Sequence, residues 1–282
     1  MNLIIQGLTT VLAQHTACIQ SIAQMSGAGK IVPINSQAVR LEKVQCDATI
    51  LQSIQEQCLL AQLDVYHGPQ RQLSDFKLVA MDMDSTLITI ECIDEIADMQ
   101  GLKPQVAEIT EAAMRGEIEF QESLIRRVGL LKGLEASALQ RVYDQRLQLS
   151  LGAENMLKQI HAAGLKTLLV SGGFTFFTDR MKSRLHLDYT HANVLEIVDD
   201  KLTGRVIGTI VDADEKRRKV EKVCQELEIS PQQAIVMGDG ANDLKMMGVA
   251  GMSVAFRAKP VVRAQASVAL NFVGLDGVLN LL

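Results

Sequence analysis

The sequence, 282 residues long, is short of one-sided charge, paired cysteines and long apolar runs. Its net charge of −5 and pI near 5.6 give no electrostatic footprint for nucleic acid, and the basic residues are scattered apart from a short cluster at Lys216–Lys219. The five cysteines, Cys18, Cys46, Cys58, Cys92 and Cys224, contain no C-x-x-C pair. That argues against a disulfide frame and a zinc site, and for reduced thiols in a cytoplasmic protein. The opening "MNLIIQGLTTVLAQ" lacks the basic region of a signal peptide, and no window reaches the apolar length of a membrane span. The expectation is a soluble, intracellular protein with neither nucleic acid nor membrane as partner. There is no internal repeat and no low-complexity segment.

What is present is an apolar content of 48%, enough for a sizeable core. A polar stretch with Gly68 and Pro69, "YHGPQRQLSDFK" (Tyr66–Lys77), marks a boundary. It separates a small α+β amino-terminal domain at 1–70 from a larger domain at 71–282. The first segment reads as a helix near Leu8–Met25, an extended stretch near Lys30–Val44 and a helix near Ala48–Leu63. So small a core is marginal alone, which predicts packing on the rest of the chain or on a second subunit as a homodimer.

Beyond the boundary, short apolar runs alternate with helical patterns. "LVAM", "LKTLLVS", "AIVMGDG", "GMSVAF" and "ASVAL" read as strands, with helices near Glu154–Ala163 and Glu215–Leu227. This predicts a Rossmann-like, doubly wound parallel sheet of the α/β class. A purely helical insert at about 91–148 follows the first strand, and Asn193–Ile210 reads as a β-hairpin.

Ligands of open α/β sheets bind at the carboxyl ends of the strands. Three strands here end in polar residues: Asp82-Met83-Asp84-Ser85-Thr86, Ser171-Gly172-Gly173, and Gly238-Asp239-Gly240-Ala241-Asn242-Asp243. If those strands are neighbours, Asp82, Asp84, Asp239 and Asp243 converge and need a cation. With oxygen donors and no His or Cys in the motifs, that cation is expected to be Mg²⁺. Ser171 beside glycine amides suits phosphate, and Lys216 can neutralise phosphate and carboxylate together. The set points to phosphoryl transfer. One of Asp82 and Asp84 would attack phosphorus while the other moves protons. The residues alone do not assign the two roles.

"DMDST", "SGG", the lysine of "DADEKR" and "GDGAND" resemble, in order, the four motifs of the haloacid-dehalogenase-like (HAD) phosphatases. The resemblance spans about Lys77 to Leu282. "DSTLITIECIDEIA", "SLIRRVGLL" and "VSGGFTFF" resemble more narrowly the phosphoserine phosphatase family. The resemblance implies hydrolysis of L-phosphoserine, the last step of serine biosynthesis, through a phospho-aspartyl intermediate. It makes Asp82 the nucleophile and Asp84 the general acid/base. It places Mg²⁺ on the Asp82 side chain, the Asp84 backbone carbonyl and Asp239. It gives phosphate to Ser171, Gly172 and Lys216, with Asn242, Asp243 and Gly173 ordering the site. The helical insert becomes a cap in which Glu91 and Arg127 meet the ammonium and carboxylate of the substrate, with Met114 and Phe120 as apolar neighbours. Another small phosphorylated metabolite, or phosphate transfer to an acceptor alcohol, remains the alternative. The family's ACT-like amino-terminal domain has four strands and two helices. Only two strands are legible here, so that segment reads as truncated or remodelled.

Plainer roles compete. Lys216 lies in a charge run that alone reads as a solvated helix face. One of Arg126 and Arg127 should be solvated, and Glu91 could simply cap a helix dipole. Met114, Phe120 and Cys92 suit core packing, and Ser171-Gly172-Gly173 a tight turn.

Overall fold

The computed structural model describes residues 1–114 and 117–282, without the side chain of Met114. The amino-terminal part runs β1 (Asn2–Gln6), α1 (Val11–Gln14), α2 (Thr16–Met25), β2 (Lys30–Asn35), β3 (Ala38–Glu42), α3 (Ala48–Leu60) and β4 (Asp64–Gly68). Its strands form one antiparallel sheet in the order β2-β3-β1-β4. With the short α1 counted as the start of the first helical segment, this is a β-α-β-β-α-β arrangement of ferredoxin-like type. The two strands expected from sequence are therefore four. β1 adds "NLIIQ", and β4 adds "DVYHG", which reads as boundary because His67 and Gly68 interrupt its apolar pattern. The segment is neither truncated nor short of a strand. The first expected helix is also broken, at His15, into α1 and α2.

The larger part begins with β5 (Leu78–Met81). The insert follows as α4 (Cys92–Asp98), α5 (Lys103–Met114), α6 (Phe120–Leu130) and α7 (Ser137–Gln145). Then come α8 (Ala153–Ala162), β6 (Lys166–Phe174), α9 (Thr175–Leu185), β7 (Tyr189–Val198), β8 (Lys201–Ile207) and α10 (Ala213–Glu226). The chain ends with β9 (Ala234–Gly238), α11 (Leu244–Met247), β10 (Met252–Phe256), α12 (Pro260–Arg263) and β11 (Val268–Leu270). The sheet order is β11-β10-β9-β5-β6-β7-β8, parallel except for the β7–β8 hairpin. It is the doubly wound sheet that the apolar runs predict.

Both faces of this sheet are covered, so "LVAM" is buried throughout. The period of two sends Val79 and Met81 to one face and Leu78 and Ala80 to the other. The first face packs on α8 and α9 and reaches into the cap through Leu124, Val128 and Val142. The second packs on α10, α11 and α12 through Val220, Val223, Met246 and Val262. The amino-terminal sheet keeps a core of its own, with Leu3, Ile5, Leu41 and Ile54, while Ile4 and Tyr66 on its other face join the core of the larger part.

One buried carboxylate fastens the two parts. Asp64, at the start of β4, accepts from the backbone amides of Asn271 (2.7 Å), Phe272 (3.0 Å) and Val273 (3.0 Å) just after β11. Burial raises its pKa, and the three amides pull it part of the way back. Asp64→Ala should therefore cost about 2–3 kcal/mol, because it strands amide donors at the seam. The midpoint of urea unfolding reads this directly, and an unchanged midpoint would mean that water replaces the carboxylate without cost.

Candidate active site

The register of the sheet builds the site. Met81 lies level with Met237 on one side and Leu169 on the other. The next residues along each strand therefore emerge together at the carboxyl edge: Asp82, then Asp239 and Ser171. Past Asp82 the chain turns tightly, with Leu87 N–H donating to Asp82 O and Ile88 N–H to Met83 O, a π-type turn. Ser85 takes the left-handed conformation there, at φ 55°. Such strain in a residue other than glycine is typical of functional turns. The turn brings Ser85 Oγ to Glu91 Oε1 at 2.7 Å.

Asp82 Oδ1 accepts from the Met83 amide at 2.7 Å, and Oδ2 lies 2.8 Å from Lys216 Nζ. The fully buried Lys216 Nζ also donates to Asp243 Oδ1 at 2.7 Å. Asp243 Oδ2 accepts from the Asp239 and Gly240 amides at 3.2 and 3.1 Å. Asp243 is thus spent on holding Lys216 and the loop. Asp239 Oδ1 accepts from Thr86 Oγ1 at 3.1 Å. Asp84 Oδ1 accepts from the Cys92 amide at 3.3 Å, and a side chain on Gly173 would come within 2.6 Å of Asp84 Oδ2. Only glycine permits that approach. Ser171 Oγ accepts from the Gly173 amide at 2.8 Å, which leaves its own proton to donate into the cavity.

The charge run at Lys216 resolves by helix geometry. Asp212 caps α10 by accepting from the Glu215 amide at 2.9 Å, with Asp214 and Glu215 in the first turn. That start turns Lys216 inward and leaves Arg217 and Arg218 on the outside.

The electrostatics show a shortage of positive charge. Burial and then Asp243 push the Asp82 carboxyl well above its ordinary value. Burial and then Glu91 push Asp84 up to about 7. Burial and then Asp243 push Asp239 up to about 6. Burial alone would lower the Lys216 ammonium, but Asp243 and Asp82 outweigh it and hold the pKa above the usual lysine value. The Lys216 ammonium is shared among the Asp82, Asp84, Asp239 and Asp243 carboxylates, with Arg127 further out toward Asp84. Oxygens of Asp82, Asp239 and Asp243 lie within 4.8 Å of one another. An all-oxygen, partly buried set of this kind fits a hard divalent cation.

A cavity of about 900 Å³ opens above these groups. Its floor carries Asp82, Asp84, Ser171, Gly172, Gly173, Asp239 and Asn242, and the cap adds Glu91, Phe120 and Arg127. The helical insert covers the strand ends. Arg127 faces the cavity, while Arg126 is exposed and pairs with Glu122 on the outer side. Burial, helped by Asp94, raises the Glu91 carboxyl, and the Ser85 hydroxyl and Arg127 partly offset it. Phe120 lies against Gly172, where an added Cβ would meet its ring at 3.2 Å. The side chain of Met114, expected beside the substrate, lies outside the described residues. Sequence reading missed Thr86, the partner of Asp239, and Asp94, which lines the cavity one helical turn from Glu91 and interacts electrostatically with Arg127. It also missed Asn193, buried behind Gly172. The i+3 spacing from Glu91 was the available signal for Asp94. A second cleft of about 780 Å³ is lined by amide side chains such as Gln37, Asn155 and Asn280, by leucines and by Asp276, and by none of the motif residues.

A buried lysine clamped between carboxylates at the end of a doubly wound sheet, under a helical cap, is an arrangement suited to phosphoryl transfer. The family model for haloacid dehalogenase-like hydrolases matches residues 76–251. A phosphoserine phosphatase of Polaromonas sp. is 59% identical over 218 residues, covering 76% of this chain and 92% of the relative. A HAD family hydrolase from Salmonella enterica serovar Typhi superposes with a TM-score of 0.89 at 34% identity, covering 100% of this chain and 98% of the other. A probable phosphoserine phosphatase from Vibrio cholerae gives 0.82 at 34% identity, covering 99% and 85%. The chain belongs to the haloacid dehalogenase-like hydrolases and, within them, to the phosphoserine phosphatase family.

The clamp makes a direct prediction. Lys216→Met keeps the side-chain length but leaves two buried carboxylates facing each other. Without added divalent metal, unfolding in urea should show a loss of about 3 kcal/mol or more, and turnover with metal should fall at least ~10²-fold. An unchanged unfolding midpoint would show that Lys216 does not neutralise the pair.

Proposed function

We propose that this protein hydrolyses L-phosphoserine to L-serine and inorganic phosphate, the closing step of serine biosynthesis, in the cytoplasm. One observation carries the choice of substrate: Glu91 and Arg127 line the cap side of the cavity whose floor holds Asp82 and Ser171, with Lys216 buried against Asp82 beneath it. An acid, a guanidinium and a phosphate grip complement the ammonium, carboxylate and phosphate of the ligand.

In the first step an Asp82 carboxylate oxygen attacks phosphorus. The bond from phosphorus to the seryl oxygen breaks, and Asp84 supplies the proton that the departing oxygen needs. In the second step Asp84 takes a proton from water as the water oxygen attacks phosphorus. The bond to Asp82 then breaks, freeing phosphate and restoring the carboxylate. The Ser171 hydroxyl, the Gly172 amide and the Lys216 ammonium hold the phosphoryl oxygens, and Asp243 keeps Lys216 in place. Asn242 and Gly173 shape the surrounding loop. Mg²⁺ held by the Asp82 and Asp239 carboxylates and the Asp84 backbone carbonyl would supply the positive charge these groups lack. Phe120 would exclude water from the apolar side of the substrate.

The cap assignment predicts a split between substrates. Glu91→Gln and Arg127→Ala should each raise KM for phosphoserine by ~10-fold or more, and change KM for p-nitrophenyl phosphate far less. Equal effects on both substrates would sink the assignment. Asp82→Asn should abolish turnover of either ester, and retained turnover would remove Asp82 as nucleophile. Chelation should stop phosphate release and Mg²⁺ restore it. A flat profile across phosphorylated metabolites would point to a different substrate for the same chemistry.

A further inference from the structure

The ladder between β6 and β7 is broken where phosphate is to bind. Val170 pairs with His191, and the next pair is Phe174 with Asn193, so four steps along β6 oppose two along β7. The surplus falls on Ser171-Gly172-Gly173. Such a bulge takes main-chain groups out of the ladder, and buried groups need other partners.

Asn193 supplies them. Its side chain is 1% exposed. Nδ2 donates to the Gly172 carbonyl at 2.7 Å, and Oδ1 accepts from the Val211 amide at 2.9 Å. Only this orientation of the amide satisfies both neighbours. The Gly172 carbonyl shares a peptide plane with the Gly173 amide, which donates to Ser171 Oγ. Fixing that plane therefore fixes which way the Ser171 hydroxyl can point. On the other side, Val211 immediately precedes Asp212, the cap of α10, and Lys216 lies one turn further. β7 ties to the same helix a second time, with His191 Nε2 3.0 Å from Glu215 Oε1.

We propose that Asn193 is a positioning residue for phosphate, locking the Ser171 hydroxyl and the Lys216 ammonium at one fixed separation. The claim rests on the phosphomonoester reading of the site and not on the choice of phosphoserine. Asn193 touches no reacting atom. It joins two phosphate-binding elements that are otherwise held by separate strands and loops. Lys216 is held by Asp82 and Asp243, and Asn193 adds the tie that sets its separation from Ser171; small displacements of such groups reduce rate strongly.

The test uses the full chain with Mg²⁺. Asn193→Asp keeps the shape and the bond from Val211 but turns an oxygen on the Gly172 carbonyl; Asn193→Ala removes both bonds. Inorganic phosphate, as a competitive inhibitor, should bind at least ~10-fold more weakly to each. kcat/KM should fall by ~10- to 100-fold, by the same factor for phosphoserine and p-nitrophenyl phosphate, because the defect lies in the phosphate grip that both share. Glu91→Gln serves as the control that separates the two substrates. Should Asn193→Ala fail to fold, the isosteric Asn193→Asp carries the test. A lower Tm with phosphate inhibition and kcat/KM within twofold of the parent would overturn the proposal and leave Asn193 a purely structural residue. If phosphoserine proves not to be the substrate, the phosphate and p-nitrophenyl phosphate measurements still decide it.

Discussion

The fold organises itself around one fully buried ammonium. Lys216 is removed from water between Asp82 and Asp243, at 2.8 and 2.7 Å. A lone charge in that position would be prohibitive, and so would either carboxylate without it. The clamp therefore forces three separate elements together: the end of β5, the first turn of α10 and the loop after β9. It also sets the chemistry. Because Asp243 is bound to Lys216 and two amides, it has little left to give a substrate. Asp82 keeps one oxygen on its neighbour's amide and the other toward the ammonium, and both sit at the mouth of the sheet. Burial first, and then the neighbouring carboxylates, push Asp84 and Asp239 up, which is why the cluster favours a cation.

The central sheet and its motifs were legible because their signals are local. A four-residue apolar run followed by D-x-D, and glycines beside hydroxyl or carboxylate residues, need no knowledge of distant neighbours. What could not be read depends on partners far along the chain. Asn193 contacts groups 21 and 18 positions away, and nothing in "THANVLEIV" distinguishes it from a strand residue facing solvent. Lys216 was recognisable by motif order, whereas its burial beside two exposed arginines follows from the helix start at Asp212. The strands β1 and β4 escaped for a different reason. Each is five residues long, and β4 ends in His67-Gly68, so turn-like residues mask a strand that is held by pairing with β1 and by the docking of Asp64.

That docking shows how a small α+β unit avoids being marginal. Its helices and sheet bury a core of modest size on one face, and Ile4 and Tyr66 on the other face join the core of the hydrolase part. Packing on the rest of the chain was one of two ways expected to support it, and the seam provides packing of that kind. The seam lies at β4 and β11, at the far edge of the large sheet from the hairpin that carries Asn193. The site, on β9, β5 and β6, lies between the docking edge and the hairpin, with β10 standing between it and β11.

The cap and the floor divide recognition between them, and the contacts joining them explain how both act on one ligand. Gln121 Nε2, at the start of α6, donates to Asp212 Oδ2 at 2.8 Å, and Phe120 beside it covers Gly172. Asp212 is also the cap of the helix that carries Lys216. The same hydrogen-bonded corner therefore seats the cap and starts the helix that carries Lys216. On the opposite flank the hairpin bonds to the cap loop, from the Gly133 amide to Leu202 O and from the Leu202 amide to Leu134 O, both at 2.8 Å. A cap held at both flanks is fixed over the floor of the cavity. The chemistry of the floor requires phosphate and nothing more. On the proposed reading, selectivity for what carries the phosphate falls to the roof, where Glu91 and Arg127 stand clear of the buried clamp.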